Sequence, residues 1–138
     1  MRRLVVTVSV LLAASLAAPA LAATPKAGTF KAKKVQLGYD LKFEVKGNKV
    51  RNLVAHVLEN CDGSTMSTVT TVGPKLTWTI KGGKVSGRKK ETQEGVTLYT
   101  TLEGRFTSAR TFKGTIRQES IVAGSTCDTY KLKFTAKR

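Results

Sequence analysis

The stretch Tyr39-Asp40-Leu41-Lys42-Phe43-Glu44-Val45-Lys46-Gly47-Asn48 decides the fold class of this chain. Aromatic or aliphatic side chains occupy every second position from Tyr39 to Val45, and charged side chains stand between them. Successive side chains of a β-strand point to opposite faces, so this alternation is typical of a strand with one buried face. Gly47-Asn48 then forms a tight turn, and we expect a β-hairpin here.

A period of two continues on both sides of this hairpin, and no segment after residue 22 has an apolar period of 3.6. The expected strands are Gly28 to about Gln36, Tyr39–Lys46, Val50–Glu59, Ser67–Val72, Leu76–Ile80, Lys84–Lys90, Val96–Phe106, Arg110–Val122 and Tyr130–Ala136. About eight or nine short strands predict an all-β, antiparallel β-sandwich or flattened barrel. Apolar residues at both parities after Arg51-Asn52 place the third strand at the centre of the sheet or predict a bulge there.

The buried face is predicted from the same alternation. Phe43, Trp78, Phe106 and Phe134 fall on the apolar sides of their strands. We also expect Tyr130 to belong to the core, since it shares its parity with Leu132, Phe134 and Ala136.

The first 22 residues read as a secretory signal peptide. Arg2-Arg3 precede an apolar stretch, Leu4 to Leu16, and Ala20-Leu21-Ala22 forms a small-x-small cleavage site. We therefore expect a soluble secreted or periplasmic protein, with a linker from Ala23 to Ala27 and one domain from Gly28 to Arg138.

The chain is strongly basic, with 24 Lys and Arg against 9 Asp and Glu among 138 residues. Removing the leader leaves 22 basic residues and a net charge of +13. Such a field favours polyanions, including anionic polysaccharide, nucleic acid and anionic lipid surfaces, and it also keeps a protein soluble.

The two cysteines predict one disulfide, Cys61–Cys127, because an exported chain meets an oxidising compartment and only one pairing exists. A redox pair and a metal site are the alternatives. The chain has no C-x-x-C motif and no zinc-ligand spacing, so we expect neither metal nor cofactor.

Catalytic groups are sparse. His56 is the single imidazole and lies within an apolar strand, where it reads as a packed or surface residue. Glu59 has the opposite parity, and Asp62 and Ser64 follow in a loop. The carboxylates are scattered singly, without the pairing that glycoside hydrolysis needs. We expect no enzyme.

The candidate anion-binding residues alternate with apolar positions or cluster at a strand end. They are Lys31, Lys33, Arg88, Lys89, Lys90, Lys131 and Lys133. Only Tyr99 offers an aromatic ring on a polar face, so sequence-specific nucleic acid is not expected. The sequence therefore favours an exported, non-enzymatic module that binds anionic polymer, such as polysaccharide, or an anionic envelope lipid surface.

The alternative is an exported protein-interaction or structural envelope protein. It would act through its loops, Cys61 to Ser67 and Glu91 to Gly95, because function concentrates on the loops of rigid β-domains. Its partner would be another envelope protein.

Two likenesses bear on the fold. The order Cys61, Trp78, Cys127 fits an immunoglobulin domain, but three strands precede Cys61 and Ser125 stands where the tyrosine corner needs Tyr. Three other features are the Gly28-x-Phe30 strand, Cys61 after the third strand, and Cys127-x-Thr129 leading to Phe134-Thr135-Ala136-Lys137-Arg138. In these features the chain resembles a group of small exported bacterial β-sandwich proteins of unassigned activity. That resemblance implies export and fold and no catalytic residues.

Overall fold

The computed structural model describes residues 22–36, 39–62, 67–73 and 75–138. The predicted signal peptide lies outside them, apart from Ala22. These residues form ten strands and no helix: β1 (Gly28–Gln36), β2 (Tyr39–Lys46), β3 (Lys49–Cys61), β4 (Ser67–Thr71), β5 (Trp78–Lys81), β6 (Lys84–Gln93), β7 (Val96–Ser108), β8 (Thr111–Val122), β9 (Ser125–Asp128) and β10 (Leu132–Lys137). Over this part of the chain there is no helix long and apolar enough to span a bilayer.

All strand pairs are antiparallel, and the sheet closes on itself. Consecutive hairpins join β1 to β2 and β3, and β5 to β6, β7 and β8, while β3 pairs with both β4 and β5. The ring closes because β10 pairs with β1 and β8, and β9 pairs with β8 and β3. This confirms the all-β antiparallel class and favours the flattened barrel over two separate sheets.

An aromatic cluster fills the ring. Phe30 and Phe43 are opposite each other in register and stack with ring centroids 5.3 Å apart. Phe106, Phe112 and Phe134 complete the cluster, with Phe106 and Phe112 at 5.0 Å in an edge-to-face arrangement that aromatic quadrupoles favour. The predicted core positions Phe43, Trp78, Phe106 and Phe134 are all buried.

Two glycines make room for this cluster. Gly104 and Gly114 face each other across β7 and β8. A Cβ atom on Gly104 would come 2.5 Å from Cζ of Phe112, closer than atoms can pack. The missing side chains therefore allow the Phe112 ring to lie against the strands.

The predicted bulge in the third strand is present. Lys42 pairs with Val54 but Glu44 pairs with Arg51, so β3 has one more residue than β2 over this interval. Asn52 takes up the extra residue with a left-handed φ of 51°. Buried positions consequently switch parity, from Val50 to Leu53, as the apolar residues at both parities indicated.

Cys61 and Cys127 form the predicted disulfide, with an S–S distance of 1.99 Å and no free cysteine in the described residues. The two cysteines are directly opposite each other on β3 and β9. The bridge therefore links two strands at one end of the ring across 66 residues of sequence.

The expectation that Tyr130 belongs to the core is wrong. Its side chain is 62% exposed and its φ is 56°. The Tyr130 amide donates to Asp128 Oδ1 at 2.7 Å, and the Thr129 hydroxyl accepts from the Gln118 amide at 2.9 Å. These hydrogen bonds hold Thr129 and Tyr130 in a turn, so the last strand begins at Leu132 and not at Tyr130. Strand β9 lies before this turn and was not among the expected strands.

The expected polar connection at Glu91–Gly95 is also shorter than predicted. Strand β6 continues to Gln93, paired with Val96, and only Glu94 and Gly95 turn. Both turn residues have positive φ, 47° and 80°, which matches the two-residue hairpin turn that suits twisted strands.

Candidate anion-binding surface

An open groove of about 720 Å³ lies where β1 leaves the neighbouring strand β10. The two strands pair at Lys31 and Lys137, whereas β10 pairs with β8 along its whole length. The lining residues, which we call the lysine groove, are Lys33, Lys34, Lys113, Gly114, Thr115, Lys133, Phe134 and Thr135. Three strands thus supply lysines to one depression.

The lysine groove is positively charged along its described lining. Lys33, Lys34, Lys113 and Lys133 are exposed, and no Asp or Glu is among the lining residues. Within the described residues none of these four ammonium groups takes part in an ion pair. A concave surface that carries charge of one sign raises the local concentration of oppositely charged ions, so the groove suits anionic groups.

Lys34 enters the groove through an irregularity of β1. Its parity matches buried Ala32, so alternation alone would place it inside. The register between β1 and β2 shifts between Ala32 and Gln36, and Lys34 is exposed beside Lys33. The alternation of the sequence contains no signal for this shift. Lys113, by contrast, has the outward parity that the sequence shows.

The predicted anion-binding residues at Lys31, Lys33 and Lys133 lie in or beside the groove. Lys33 and Lys133 line it. Lys31 is directly opposite Lys137 on β10 and Lys42 on β2, so three lysines stand side by side at the end where β1 and β10 meet.

Lys131 has a different position. It precedes β10, and its Nζ donates to Glu103 Oε2 at 3.1 Å. Its charge is therefore partly neutralised, although its side chain is 64% exposed.

The predicted cluster Arg88-Lys89-Lys90 is divided between two faces of β6. Arg88 and Lys90 are opposite Thr101 and Tyr99, whereas Lys89 is opposite Thr100, which is buried inside the ring. Residues opposite each other in an antiparallel pair point to the same face. Lys89 therefore points to the other face of β6 from Arg88 and Lys90, although its side chain is exposed. Arg88 and Lys89 still line one depression, with Lys81 and Lys84, whereas Lys90 does not.

Arg88 and Lys90 gather around Tyr99 on the outer face. The Arg88 guanidinium lies 4.0 Å from the Tyr99 ring centroid, and Lys90 Nζ lies 5.8 Å from it. Arg88 also pairs with Glu119 at 3.1 Å. Tyr99, the aromatic ring expected on a polar face, is thus covered by cations.

Carboxylates are concentrated beside Arg88 and Arg117. Arg117 Nε donates to Asp128 Oδ1 at 3.0 Å, and Glu119 lies 3.5 Å from the same guanidinium. The hydrogen bond with Asp128 raises the pKa of Arg117. Burial acts to raise the pKa of Asp128, but hydrogen bonds from Arg117 and the Tyr130 amide outweigh it, so that pKa lies below its ordinary value. This region is a network of ion pairs, in contrast to the lysine groove.

His56 and Glu59 lie on opposite faces of β3, as their parity predicted. His56 Nδ1 is 2.8 Å from Asp40 Oδ1 on the outer face, and the hydrogen bond with His56 lowers the pKa of Asp40. Glu59 is buried and accepts a hydrogen bond from the Ser120 hydroxyl at 3.0 Å. Among the residues with described positions, no three His, Cys, Asp or Glu side chains gather as a metal site.

The loop after Cys61 is only partly within the described residues. Asp62 Oδ1 accepts from the Thr126 amide at 3.1 Å, and hydrogen bonds from the Ser125 hydroxyl and this amide lower the pKa of Asp62. Ser64, which follows Asp62 in this loop, lies outside the described residues.

No family model, curated protein or solved structure matches this chain. Its function must therefore be inferred from its own surface.

Proposed function

We propose that this protein is an exported, non-enzymatic module that binds anionic polymer or an anionic envelope surface through the lysine groove. The observation that carries the proposal is the set of four groove lysines from three strands, with no carboxylate among the lining residues. The leader-like N-terminus and the Cys61–Cys127 bridge support export, because disulfides persist in oxidising compartments.

The groove binds by charge and not by shape readout. Lysine ammonium groups donate charge-assisted hydrogen bonds to phosphate, sulfate or carboxylate oxygens. The methylene stems of the groove lysines supply apolar surface beneath these charges. Each contact releases a condensed counterion from a polymer, so affinity falls steeply as salt rises.

The experiment compares two charge-reversal variants with the same net charge. Lys33→Glu with Lys133→Glu alters the groove, whereas Lys46→Glu with Lys49→Glu alters two exposed lysines that face each other across the β2–β3 turn. Elution from immobilised heparin and co-sedimentation with phosphatidylglycerol vesicles are measured over a range of NaCl concentrations.

We expect the groove variant to elute at clearly lower salt than the control variant, with a salt slope reduced by roughly two. Equal elution of the two variants would refute the groove and leave net charge alone as the cause of retention. Binding to an envelope protein that persists in both variants at high salt would favour the loop-mediated alternative, because apolar interfaces respond little to ionic strength.

A further inference from the structure

Four basic residues form a row across four neighbouring strands, which we call the basic belt. Lys81 is directly opposite Lys84, Lys84 is opposite Arg105, and Arg105 is opposite Lys113. All four side chains are exposed. Lys113 also lines the lysine groove, so the belt leads into that groove without interruption.

Without a ligand, this row of like charges lowers the stability of the folded chain. Directly opposite side chains on one face have Cβ atoms about 5 Å apart, and like charges at that spacing are destabilising. No belt residue has an ion pair among the described residues, and Glu103, two positions from Arg105, is paired with Lys131 instead. A ligand that neutralises the row would relieve three successive repulsions.

The direction of the belt restricts the shape of that ligand. The row runs perpendicular to the strands, and neighbouring strands are about 4.8 Å apart. Its four charges therefore span roughly 14 Å, from Lys81 to Lys113 in the groove. It follows the outside of a closed ring, which curves away from any plane. A flat bilayer touches such a surface along part of its width only, whereas a flexible chain can follow it.

The side chains around the belt indicate which kind of flexible polyanion it binds. Proteins that bind single-stranded nucleic acid combine positive charge with aromatic rings on which bases stack. No belt residue is aromatic. Trp78 lies beside Lys81 and Lys84 and Phe134 lies at the groove, but they are only 1% and 6% exposed, so neither ring is open to a base. A polymer without bases, such as a sulfated or uronic-acid polysaccharide, needs no such ring.

We infer that an anionic polysaccharide binds across the strands, with one part in the lysine groove and its continuation along the basic belt. This inference rests on the proposed function, since the groove is the shared part of the site. It adds that affinity depends on chain length: a short oligosaccharide contacts the groove, and a longer one also reaches Lys84 and Lys81.

The test uses size-fractionated heparin fragments and three variants of the full chain. Lys84→Gln with Arg105→Gln removes the middle of the belt, and the control variant, Lys46→Gln with Lys49→Gln, removes the same charge at the β2–β3 turn. Lys33→Gln with Lys133→Gln reports on the groove. Affinity is measured by calorimetry at low salt, and unfolding midpoints are measured without ligand.

We expect the belt variant to bind long fragments about five- to twentyfold more weakly than the control variant, while short fragments bind both equally. Its midpoint without ligand should not fall, because the substitutions remove repulsion. Equal affinity of belt and control variants for long fragments would overturn the inference, and the groove variant separately reports whether the proposed function stands. Equal competition by single-stranded DNA of matched charge, or tighter binding to anionic vesicles than to long fragments, would also overturn it.

Discussion

Removing the Cys61–Cys127 bridge is the most direct test of how the ring is stabilised. The perturbation is the pair Cys61→Ala with Cys127→Ala, which avoids leaving one reactive thiol. A bridge across 66 residues restricts the unfolded chain, and loop-closure entropy gives about 4 kcal/mol for that separation. Domains of this size have a total stability of roughly 6–17 kcal/mol, so the bridge is a large share of it.

The structure adds a local contribution. Strands β3 and β9 pair at two positions, Asn60 with Asp128 and Cys61 with Cys127. Without the bridge we expect this short junction to open before the long β7–β8 ladder, because few hydrogen bonds hold it.

The assay is urea and thermal unfolding of the oxidised protein, the reduced protein and the double variant, with hydrogen exchange of the β9 amides. We expect the melting temperature to fall by roughly 12–20 °C. The far-UV circular dichroism should stay β-type below the new midpoint. An unchanged midpoint would refute the argument, since it would mean that the bridge does not restrict the unfolded state. A large fall with unchanged β9 exchange would refute the local part.

Two further perturbations test the core and the ion-pair network. Gly114→Ala would place a methyl group against Phe112 and the Glu103 carbonyl, and we expect it to lower the free energy of unfolding by about 1–3 kcal/mol. Gly87→Ala, where the added methyl group meets Trp78 at an ordinary contact distance, is the milder control. Equal urea midpoints for the two variants would contradict this packing. The pKa of Asp128 is lower folded than unfolded, so its carboxylate stabilises the fold above its ordinary pKa, and that stability is lost as pH falls through the folded value. Melting temperatures from about pH 5 to about pH 2 should therefore fall less steeply for Asp128→Asn, and a parallel curve would show that the Arg117 pair does not contribute.

The parts of the fold that depend on neighbouring residues were predictable from the sequence. Alternation from Tyr39 to Val45 identified β2 and its buried face, and Gly47-Asn48 identified the turn to β3. The change of parity after Asn52 identified the bulge. In each case the signal lies within a few residues, because it reflects local backbone geometry.

Ring closure is not predictable from local sequence, because it depends on long-range pairing. Nothing near Leu132–Lys137 indicates that this strand lies between β1 and β8. Tyr130 departs from its predicted place in the core for another reason: the Asp128 carboxylate competes for backbone hydrogen bonds that a continuous strand would make. The apolar pattern cannot show that competition.

The candidate site was only partly predictable, since a patch requires register as well as parity. Parity correctly placed Lys33 and Lys133 on the outer surface, and they share the groove. It could not show that Lys131 faces Glu103 or that Lys34 joins the groove. The belt likewise needs the pairing of β5, β6, β7 and β8, of which only the Lys81–Lys84 turn is visible in the sequence.

The position of Cys127 also affects the speed of folding. Pairing residue 31 with residue 137 joins distant parts of the chain, and β-topologies with such contacts fold slowly because a large loop must close first. Cys127 precedes β10 by only the segment Asp128–Lys131. Once the disulfide has formed in a partly folded chain, the final strand is tethered beside the gap it must fill, and its docking becomes a short-range search at high effective concentration. Oxidation before docking should therefore shorten the time during which the edges of β1 and β8 are open to other chains.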